Sequence, residues 1–356
     1  MKVAVKYEQL AVDEAGNVTG HGAGDTLVRR LLKVFPGAQL VGPRTHRYAD
    51  FDVMPLEVLD AENTVVINMD VIDSVAVWRV LHAKAPNPKI MNFVWWDTSA
   101  FSTEVEQAEL ALSAALFPTF ANSERTAAGI RGTVKRLTVQ PLAERARISW
   151  VNLGIRLEHA LQREEPEAPV ILYPAIYLSE RKQPQLFIDI VSRVARDTPV
   201  KVEVRLAEPH LVSRMAMQLS QKRWSWVGPL TPTRHEYWER LAHTTAFLAT
   251  AKEESYGLEY IEALVAGAIG IFPKAAWAQA ILPAGYPFLY SSPAEAETML
   301  RRAIADTEAC RRELDAAAGG SFAHWLRDHH SDDAFETAIV GRVHHWFGPD
   351  QTPPQP

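Results

Sequence analysis

Short apolar runs alternate with longer segments of helical hydrophobic spacing along nearly the whole chain. This alternation predicts an α/β protein with parallel sheets, because a strand buried on both faces is short and continuously apolar. In the first half, the apolar runs predict strands at residues 3–5, 39–41, 64–68, 90–95, 115–117 and 148–151. In the second half, they predict strands at residues 170–173, 200–206, 224–227, 245–249, 268–272 and 287–290.

A charged and helix-poor stretch separates the two series of strands. It runs from residue 156 to residue 169 and is the best candidate for a linker. The chain has 356 residues, which is enough for two domains that each bury their own core. We therefore expect an N-terminal domain over residues 1–160, a C-terminal domain over residues 169–325 and a helical segment over residues 326–347. Residues 349–356 are expected to form a loose end.

Charge and cysteine content limit the classes of partner. The formal net charge is −6 at pH 7, so a nucleic acid or an anionic membrane would need a local basic patch on this chain. The single cysteine, Cys310, leaves no disulfide framework and fits a reducing compartment. The first ten residues resemble a strand more than a signal sequence, and no apolar run reaches the roughly 20 residues that span a bilayer. We expect a cytoplasmic protein that is at most peripheral to a membrane.

Residues 254–270 carry the strongest functional signal, because two carboxylates flank a glycine turn at the start of a predicted helix. Glu254 lies just before this helix, Ser255 is its predicted N-cap, and Glu262 lies on its second turn. Gly267 is predicted to end the helix before a buried strand. The segment therefore predicts a helix, a turn and a parallel strand in succession.

The start of this helix also predicts an anion site. The N–H groups of Tyr256, Gly257 and Leu258 would lack helical acceptors, and the helix dipole favours negative charge there. Glycine at position 257 lets the backbone approach a ligand closely, so a diphosphate is a natural occupant. On local chemistry alone a structural explanation stays open, because the dipole by itself favours acidic residues near a helix start.

The pattern Glu-x-Tyr-Gly-Leu-x-x-x-Glu-Ala-Leu-x-Ala-Gly resembles the donor-site motif of retaining GT-B glycosyltransferases of the family-four type. The resemblance is close over about residues 170–300 and thin in the first half of the chain. It implies a GT-B fold, with two doubly wound, Rossmann-like domains that face a cleft. The first domain would bind the acceptor and the second the donor. The resemblance also implies that the final helical segment crosses back to pack on the first domain.

The same resemblance implies roles for the motif. Glu254 would face the donor sugar, Glu262 would hold the ribose hydroxyls, and residues 255–258 would contact the diphosphate. No metal and no cofactor are implied besides the nucleoside-diphosphate sugar itself. Side-chain cations and a helix terminus would supply the positive field in place of a metal.

The cations are expected in the loop that follows the first strand of the second half. Lys182, followed by Gln-Pro, matches the lysine of the family pattern. Ala175 and Ile176 stand where an arginine is expected, so Arg181 beside Lys182 would have to supply a second charge. Because stabilising the departing diphosphate is the main catalytic task, this departure leaves weak or absent activity open.

Three further positions match the family pattern less specifically. Gly24 lies in a glycine-rich loop, Gly20-His21-Gly22-Ala23-Gly24, that resembles the acceptor-side loop of the first domain, or forms a plain turn with Asp25 as N-cap. Trp96 and Asp97 follow a strand where a histidine is common; they suit contacts with a sugar, or equally a core residue and a helix cap. Gly228 follows a strand in the segment where the nucleotide base would rest on the backbone.

Other motifs are given structural interpretations. Asp50-Phe51-Asp52 imitates a metal-binding motif of another glycosyltransferase fold but is interpreted as loop surface. The C-terminal histidines are interpreted as solvated helix faces rather than a metal site; they are His324, His329, His330, His344 and His345. A basic stretch would receive an anionic acceptor or lipid headgroups, or form a solvated face; it contains Arg125, Arg131, Lys135, Arg136, Arg145 and Arg147.

These observations predict a metal-independent, retaining enzyme that moves a hexose from a nucleoside-diphosphate sugar to an acceptor hydroxyl. The acceptor would be a sugar, a glycan or a small molecule, and no nucleic acid is expected as a partner. Two alternatives remain. The first is a glycosyltransferase-like binding or scaffold subunit with weak or no activity. The second keeps the fold with different chemistry, as a nucleotide-sugar epimerase or as a nucleic-acid glycosylating enzyme, although the latter needs a basic groove that the net charge does not indicate.

Overall fold

The computed structural model describes residues 1–20 and 22–348, so the expectations for His21 and for residues 349–356 lie outside the described residues. The chain divides into two compact units. Among the described residues, unit 1 contains those of Met1–Asn152 and residues 333–348, and unit 2 contains Leu153–Asp332. The first unit therefore ends earlier than the expected residue 160.

Unit 1 is built on a mixed sheet with the strand order β3-β4-β2-β1-β5-β6-β7-β8. All neighbouring strands pair in parallel except β3 with β4, which form an antiparallel pair. The order reverses between β1 and β5, which is the topological switch point where open α/β sheets bind ligands. The strands are β1 (Lys2–Lys6), β2 (Gln39–Val41), β3 (His46–Arg47), β4 (Asp52–Met54), β5 (Thr64–Asn68), β6 (Lys89–Val94), β7 (Thr119–Ala121) and β8 (Ile148–Trp150).

Helices cover this sheet and bury its apolar side chains; they are α1 (Ala23–Val34), α2 (Ser74–His82), α3 (Glu104–Leu116), α4 (Glu124–Leu137) and α5 (Gln140–Arg145). The predicted strand at residues 115–117 is wrong, because these residues end α3. Thr103 starts that helix with a capping box, and Leu110, Ala111 and Ala114 continue its buried stripe. The strand begins only at Thr119, beyond a proline that cannot continue a helix.

Unit 2 contains a fully parallel sheet with the strand order β11-β10-β9-β12-β13-β14. In chain order this is 3-2-1-4-5-6, the arrangement of a doubly wound dinucleotide-binding fold, and its switch point lies between β9 and β12. The strands are β9 (Val170–Leu172), β10 (Lys201–Leu206), β11 (Ser225–Pro229), β12 (Ala246–Leu248), β13 (Ile269–Pro273) and β14 (Leu289–Tyr290). Each of the six predicted strands in this half is confirmed.

The helices of unit 2 connect these strands and continue beyond them; they are α6 (Pro184–Val194), α7 (Glu208–Leu211), α8 (Arg214–Ser220), α9 (Arg234–Ala242), α10 (Leu258–Val265), α11 (Ala276–Gln279), α12 (Pro293–Ala305), α13 (Thr307–Ala317) and α14 (Phe322–His330). The expected linker is also held to this unit by side chains. Arg163 donates to the carbonyl of Thr244 at 2.5 Å, and Glu165 accepts from Arg311 at 2.6 Å.

The C-terminal segment forms two helices rather than one, because Ser331 interrupts the helical backbone between α14 and α15 (Asp332–Phe347). Almost all of α15 belongs to unit 1. Its Phe335 is fully buried, with ring centroids 5.8 Å from Phe93 and 6.2 Å from Phe120. The guanidinium carbon of Arg30 lies 4.2 Å from the centre of the same ring. This residue therefore anchors α15 on the sheet of unit 1.

Candidate functional site

Two loops meet at the carboxyl end of the unit 2 sheet, one after β9 and one after β12. Lys182 ends a short 3₁₀ turn in the first loop, and Glu254 lies in the second. The hydroxyl of Thr250 donates to the carbonyl of Lys182 at 2.7 Å, and the N–H of Lys252 donates to the carbonyl of Arg181 at 2.9 Å. Because β9 and β12 flank the switch point, these bonds hold the two loops where a ligand is expected.

Lys182 and Glu254 form a largely buried ion pair, with 20% and 14% of their side chains exposed. Glu254 also accepts a hydrogen bond from the hydroxyl of Tyr260 at 3.0 Å. Burial lowers the pKa of Lys182, but the nearby carboxylates of Glu254 and Glu259 raise it more, so the net shift is upward. Lys182 is therefore a permanent cation at neutral pH.

The backbone beside this lysine has an uncommon conformation. Gln183, which precedes Pro184 at the start of α6, has a φ of 46°. Non-glycine residues rarely adopt this left-handed region, and such residues concentrate at functional sites. The turn brings the chain from the lysine directly into the first residue of the helix.

The helix that carries the two-glutamate motif begins at Leu258, with Gly257 as its N-cap, so the predicted cap at Ser255 is wrong. Gly257 has a φ of 80°, and a Cβ at this position would lie 2.5 Å from the ring of Tyr260. Both facts require glycine at this position. The helix ends at Val265, and Gly267 follows its C-cap with a φ of 87°, which confirms the predicted end.

Glu262 is buried, and the structure shows two partners that the sequence did not reveal. Arg234 donates to Oε1 at 2.6 Å, and the hydroxyl of Tyr237 donates to Oε2 at 2.7 Å. Both donors lie in the first turn of α9, on a different element from the motif. Because they are three residues apart on a helix, the sequence places them on the same helix face. Only the tertiary structure shows which carboxylate they contact.

Glu259 is a third carboxylate in this group, and the sequence analysis did not single it out. It lies in the first turn of α10. Burial raises the pKa of Glu259 to about 7, and the carboxylates of Glu254 and Glu262 act in the same direction while Lys182 opposes them. This carboxyl group therefore titrates near neutral pH, as groups at functional sites often do.

A buried histidine supports the turn before α10. His330 is 1% exposed; its Nε2 lies 3.1 Å from the carbonyl of Ile281, and its Nδ1 lies 2.6 Å from the hydroxyl of Tyr256. The carbonyl requires a proton on Nε2, so Nδ1 accepts from the tyrosine. Burial lowers the pKa of His330 to about 4, which keeps the ring neutral. The interpretation of this histidine as part of a solvated helix face is therefore wrong.

Asp97 and Gly24 belong to unit 1. Asp97 caps a 3₁₀ turn by accepting from the N–H of Ser99 at 2.9 Å, and it pairs with Arg125 at 2.5 Å. These contacts match the helix-cap alternative. Gly24 lies inside the first turn of α1, where a Cβ would meet the ring of Tyr7 at 2.5 Å.

Two local predictions in these regions are wrong. Asp25 is not the N-cap of α1; Gly22 is, and Asp25 accepts its N–H at 3.0 Å from the third helical position. Gly228 does not follow a strand but lies inside β11, where a Cβ would meet the ring of Trp226 at 2.2 Å. The aromatic side chain folds over the glycine, so close packing explains this residue.

Unit 1 has a charged cluster of its own at the switch point of its sheet. Lys6, at the end of β1, is 7% exposed and donates to Asp70 at 3.0 Å and to Asp73 at 2.6 Å. Glu8 contacts the same ammonium group at 3.0 Å. Lys6 ends a strand in which apolar residues alternate with lysines, and this pattern does not show which groups the lysine contacts. Only the pairing of β1 with β5 brings the residues of the cluster together.

No group of three histidine, cysteine, aspartate or glutamate side chains suited to a metal ion occurs in residues 1–20 and 22–348. Asp52 of the discounted metal motif pairs with Arg47 at 3.2 Å, within a pair of short strands. In the same described residues, no helix is long and apolar enough to cross a bilayer.

The chain matches no family model and no curated protein. Solved structures nevertheless share its fold over nearly its full length. Sucrose-phosphate synthase from Thermosynechococcus elongatus matches 97% of this chain and 99% of its own, with a TM-score of 0.68 and 11% identity. HepE from Anabaena in complex with UDP matches 97% and 100%, with a TM-score of 0.70 and 12% identity. An α,α-trehalose-phosphate synthase (UDP-forming) from Burkholderia vietnamiensis matches 97% and 98%, with a TM-score of 0.67 and 11% identity.

These likenesses define the class of structure. Two Rossmann-like units with largely parallel sheets constitute the GT-B fold, which this chain shares with these solved structures. The chain has this fold, and its motif residues lie at the switch point of the second unit.

Proposed function

We propose that this protein is a retaining, metal-independent glycosyltransferase that moves a hexose from a nucleoside-diphosphate sugar to an acceptor hydroxyl. The observation that carries the proposal is the charged group of unit 2. It joins Lys182, Glu254 and the first turn of α10 at the switch point of a doubly wound sheet. The HepE structures contain UDP or UDP-glucose, which is the kind of ligand proposed for this chain.

Each residue has a role in the proposal. Lys182 and the N–H groups at the start of α10 stabilise the negative charge of the departing diphosphate. Glu254 accepts hydrogen bonds from the sugar hydroxyls, and Glu262 accepts those of the ribose. Arg181 adds positive charge beside Lys182. The diphosphate oxygen that leaves the sugar takes the proton of the acceptor hydroxyl, so no protein base is needed.

The acceptor is proposed to be a sugar, a glycan or a small molecule that binds unit 1. Carboxylates at the switch point of its sheet, Asp70 and Asp73 beside Lys6, are suited to accept hydrogen bonds from hydroxyl groups. Any contact with an anionic membrane is assigned to the end of α4, where Lys135 and Leu137 are both exposed.

Binding of the donor nucleotide tests the proposal first. We expect one of UDP, GDP, ADP or dTDP to raise the thermal midpoint by about 5 to 10 °C at a concentration about 100-fold above its Kd. Glu262→Gln is expected to abolish most of this rise, whereas Glu239→Gln, an exposed residue of the same helix as Arg234, should not. Absence of a rise with all four nucleotides in the wild type would reject the proposed donor site.

A binding subunit without turnover is the second candidate, and a specific observation favours it. Lys182 is already engaged by Glu254, and both oxygens of Glu262 already accept hydrogen bonds. Because these charged groups already interact with one another, the site provides a weaker positive field to stabilise a departing diphosphate. Nucleotide binding without sugar transfer or donor hydrolysis would identify this function. Release of an isomerised nucleotide sugar without an acceptor would instead identify an epimerase.

Donor affinity is expected to depend on pH through Glu259. The diphosphate adds negative charge near this carboxyl group, so binding favours its protonated form, and affinity should rise as pH falls through about 7. The affinity for UDP-glucose is expected to fall by up to about tenfold per pH unit above pH 7. The phosphates of this ligand do not titrate in this range, so the change reports on the protein. Glu259→Gln should remove the pH dependence and bind as the wild type does at low pH. Titration calorimetry between about pH 6 and pH 8 measures the affinities of the wild type and of Glu259→Gln. If affinity changed with pH equally in the two proteins, the prediction would be contradicted.

A further inference from the structure

The buried carboxylate of Glu262 is covered by a side chain that is itself half exposed. The side chain of Arg234 is 53% exposed, whereas that of Glu262 is 10% exposed. The guanidinium carbon of Arg234 lies 4.8 Å from the centre of the Tyr237 ring, so the group rests on an aromatic face. Its hydrogen bond from Nη2 to Glu262 uses one of the five N–H donors of the guanidinium group.

The two cations of the site, Lys182 and Arg234, differ in their solvent exposure and in the contacts that hold them. The side chain of Lys182 is 20% exposed, and its ammonium group is bound by Glu254. Arg234 is more exposed and is held at a single oxygen of its partner. A guanidinium group also matches the paired oxygens of a phosphate, which an ammonium group does not. Arg234 is therefore the cation better suited to bind a phosphate group that enters from solvent.

We propose that Arg234 binds the phosphate groups of the nucleoside diphosphate, and that ribose hydroxyls take its place on Glu262. The exchange conserves charge pairing, because the guanidinium group leaves one carboxylate oxygen for a phosphate while hydroxyl donors reach the freed oxygen. Tyr237 keeps its bond to the other oxygen of Glu262 and so maintains its orientation. This inference rests on the proposed function, since it assigns a phosphate contact within the same donor site.

A purely structural role makes a different prediction. If Arg234 only orients Glu262, its loss weakens binding of the nucleoside and of the nucleoside diphosphate by the same factor. If Arg234 binds phosphate, its loss weakens binding of the diphosphate alone. The ratio of the two affinities therefore separates the roles.

The experiment measures by calorimetry the affinities of the full-length protein for uridine, UMP and UDP, or for the corresponding adenine, guanine or thymine series if one of those binds the wild type. Arg234→Ala is expected to lower affinity for the diphosphate about 10- to 100-fold and to leave nucleoside affinity within about threefold. Arg234→Lys should recover part of the loss. Arg240→Ala, on the exposed side of the same helix, is the matched control and should leave the affinities for both ligands unchanged.

Tyr237→Phe provides a second comparison, because it removes a neutral hydrogen bond from Glu262 and no charge. It is expected to change nucleoside and diphosphate affinities by a similar factor. Unchanged diphosphate affinity in Arg234→Ala, or an equal loss for both ligands, would overturn the inference while leaving the proposed function standing. Failure of the wild type to bind any nucleoside diphosphate would overturn both.

Discussion

Replacing Lys182 by methionine is expected to lower the rate of sugar transfer about 100- to 1,000-fold, which is the usual effect of removing a preorganised charge from a developing anion. Methionine keeps most of the side-chain volume and removes the ammonium group that is bound to Glu254. The loss should appear in kcat, because the leaving diphosphate gains its charge only in the transition state. Transfer and donor hydrolysis under saturating nucleotide sugar measure it.

Lys252→Met is the matched control, because this lysine lies in the loop with Glu254 but is 52% exposed and pairs with the exposed Glu180 at 3.3 Å. It should retain activity within about threefold, as exposed pairs contribute about 1 kcal/mol or less. Equal rates in Lys182→Met and the wild type would refute the assigned role.

Loss of the lysine also leaves Glu254 largely buried without its cation, which is expected to cost about 3 kcal/mol or more of stability. A double variant, Lys182→Met with Glu254→Gln, removes both charges and should recover most of the thermal midpoint. It should remain inactive, so catalytic and folding effects can be separated. An active double variant would show that neither charge takes part in the reaction.

Replacing Phe335 by alanine is expected to lower the free energy of unfolding by about 3 to 5 kcal/mol, the usual cost of truncating a fully buried aromatic side chain. The ring contacts Phe93, Phe120 and the guanidinium group of Arg30, so its removal leaves a cavity that these side chains cannot fill. A midpoint lower by about 10 °C in calorimetry is expected for unit 1.

His345→Ala, on the exposed side of α15, serves as the control and should change stability by about 0.5 kcal/mol or less. Phe335→Leu should lie between the two, because it restores part of the lost volume. A loss below about 1 kcal/mol for Phe335→Ala would show that α15 does not depend on this contact for its position.

The local sequence was sufficient for the regular elements of unit 2. Its strands are apolar, short and separated by turn residues, so the hydrophobic period alone predicted all six. In unit 1 the same rule failed at residues 115–117, because an apolar run that ends a helix has the composition of a buried strand. The predicted N-cap at Ser255 was wrong, because Gly257, with its positive φ, is the residue that caps the helix.

For the candidate site, the sequence by itself indicated Glu254, Glu262 and the glycine turn through their short-range spacing, and Lys182 through its match to the family pattern. Only the tertiary structure decided which groups they contact. Arg234 and Tyr237 reach Glu262 from α9, and His330 supports Tyr256 from α14. These partners lie 25 residues or more away in the chain. Hydrophobic periodicity depends on neighbours within a few residues of each other, whereas the packing of separate elements brings such distant pairs together.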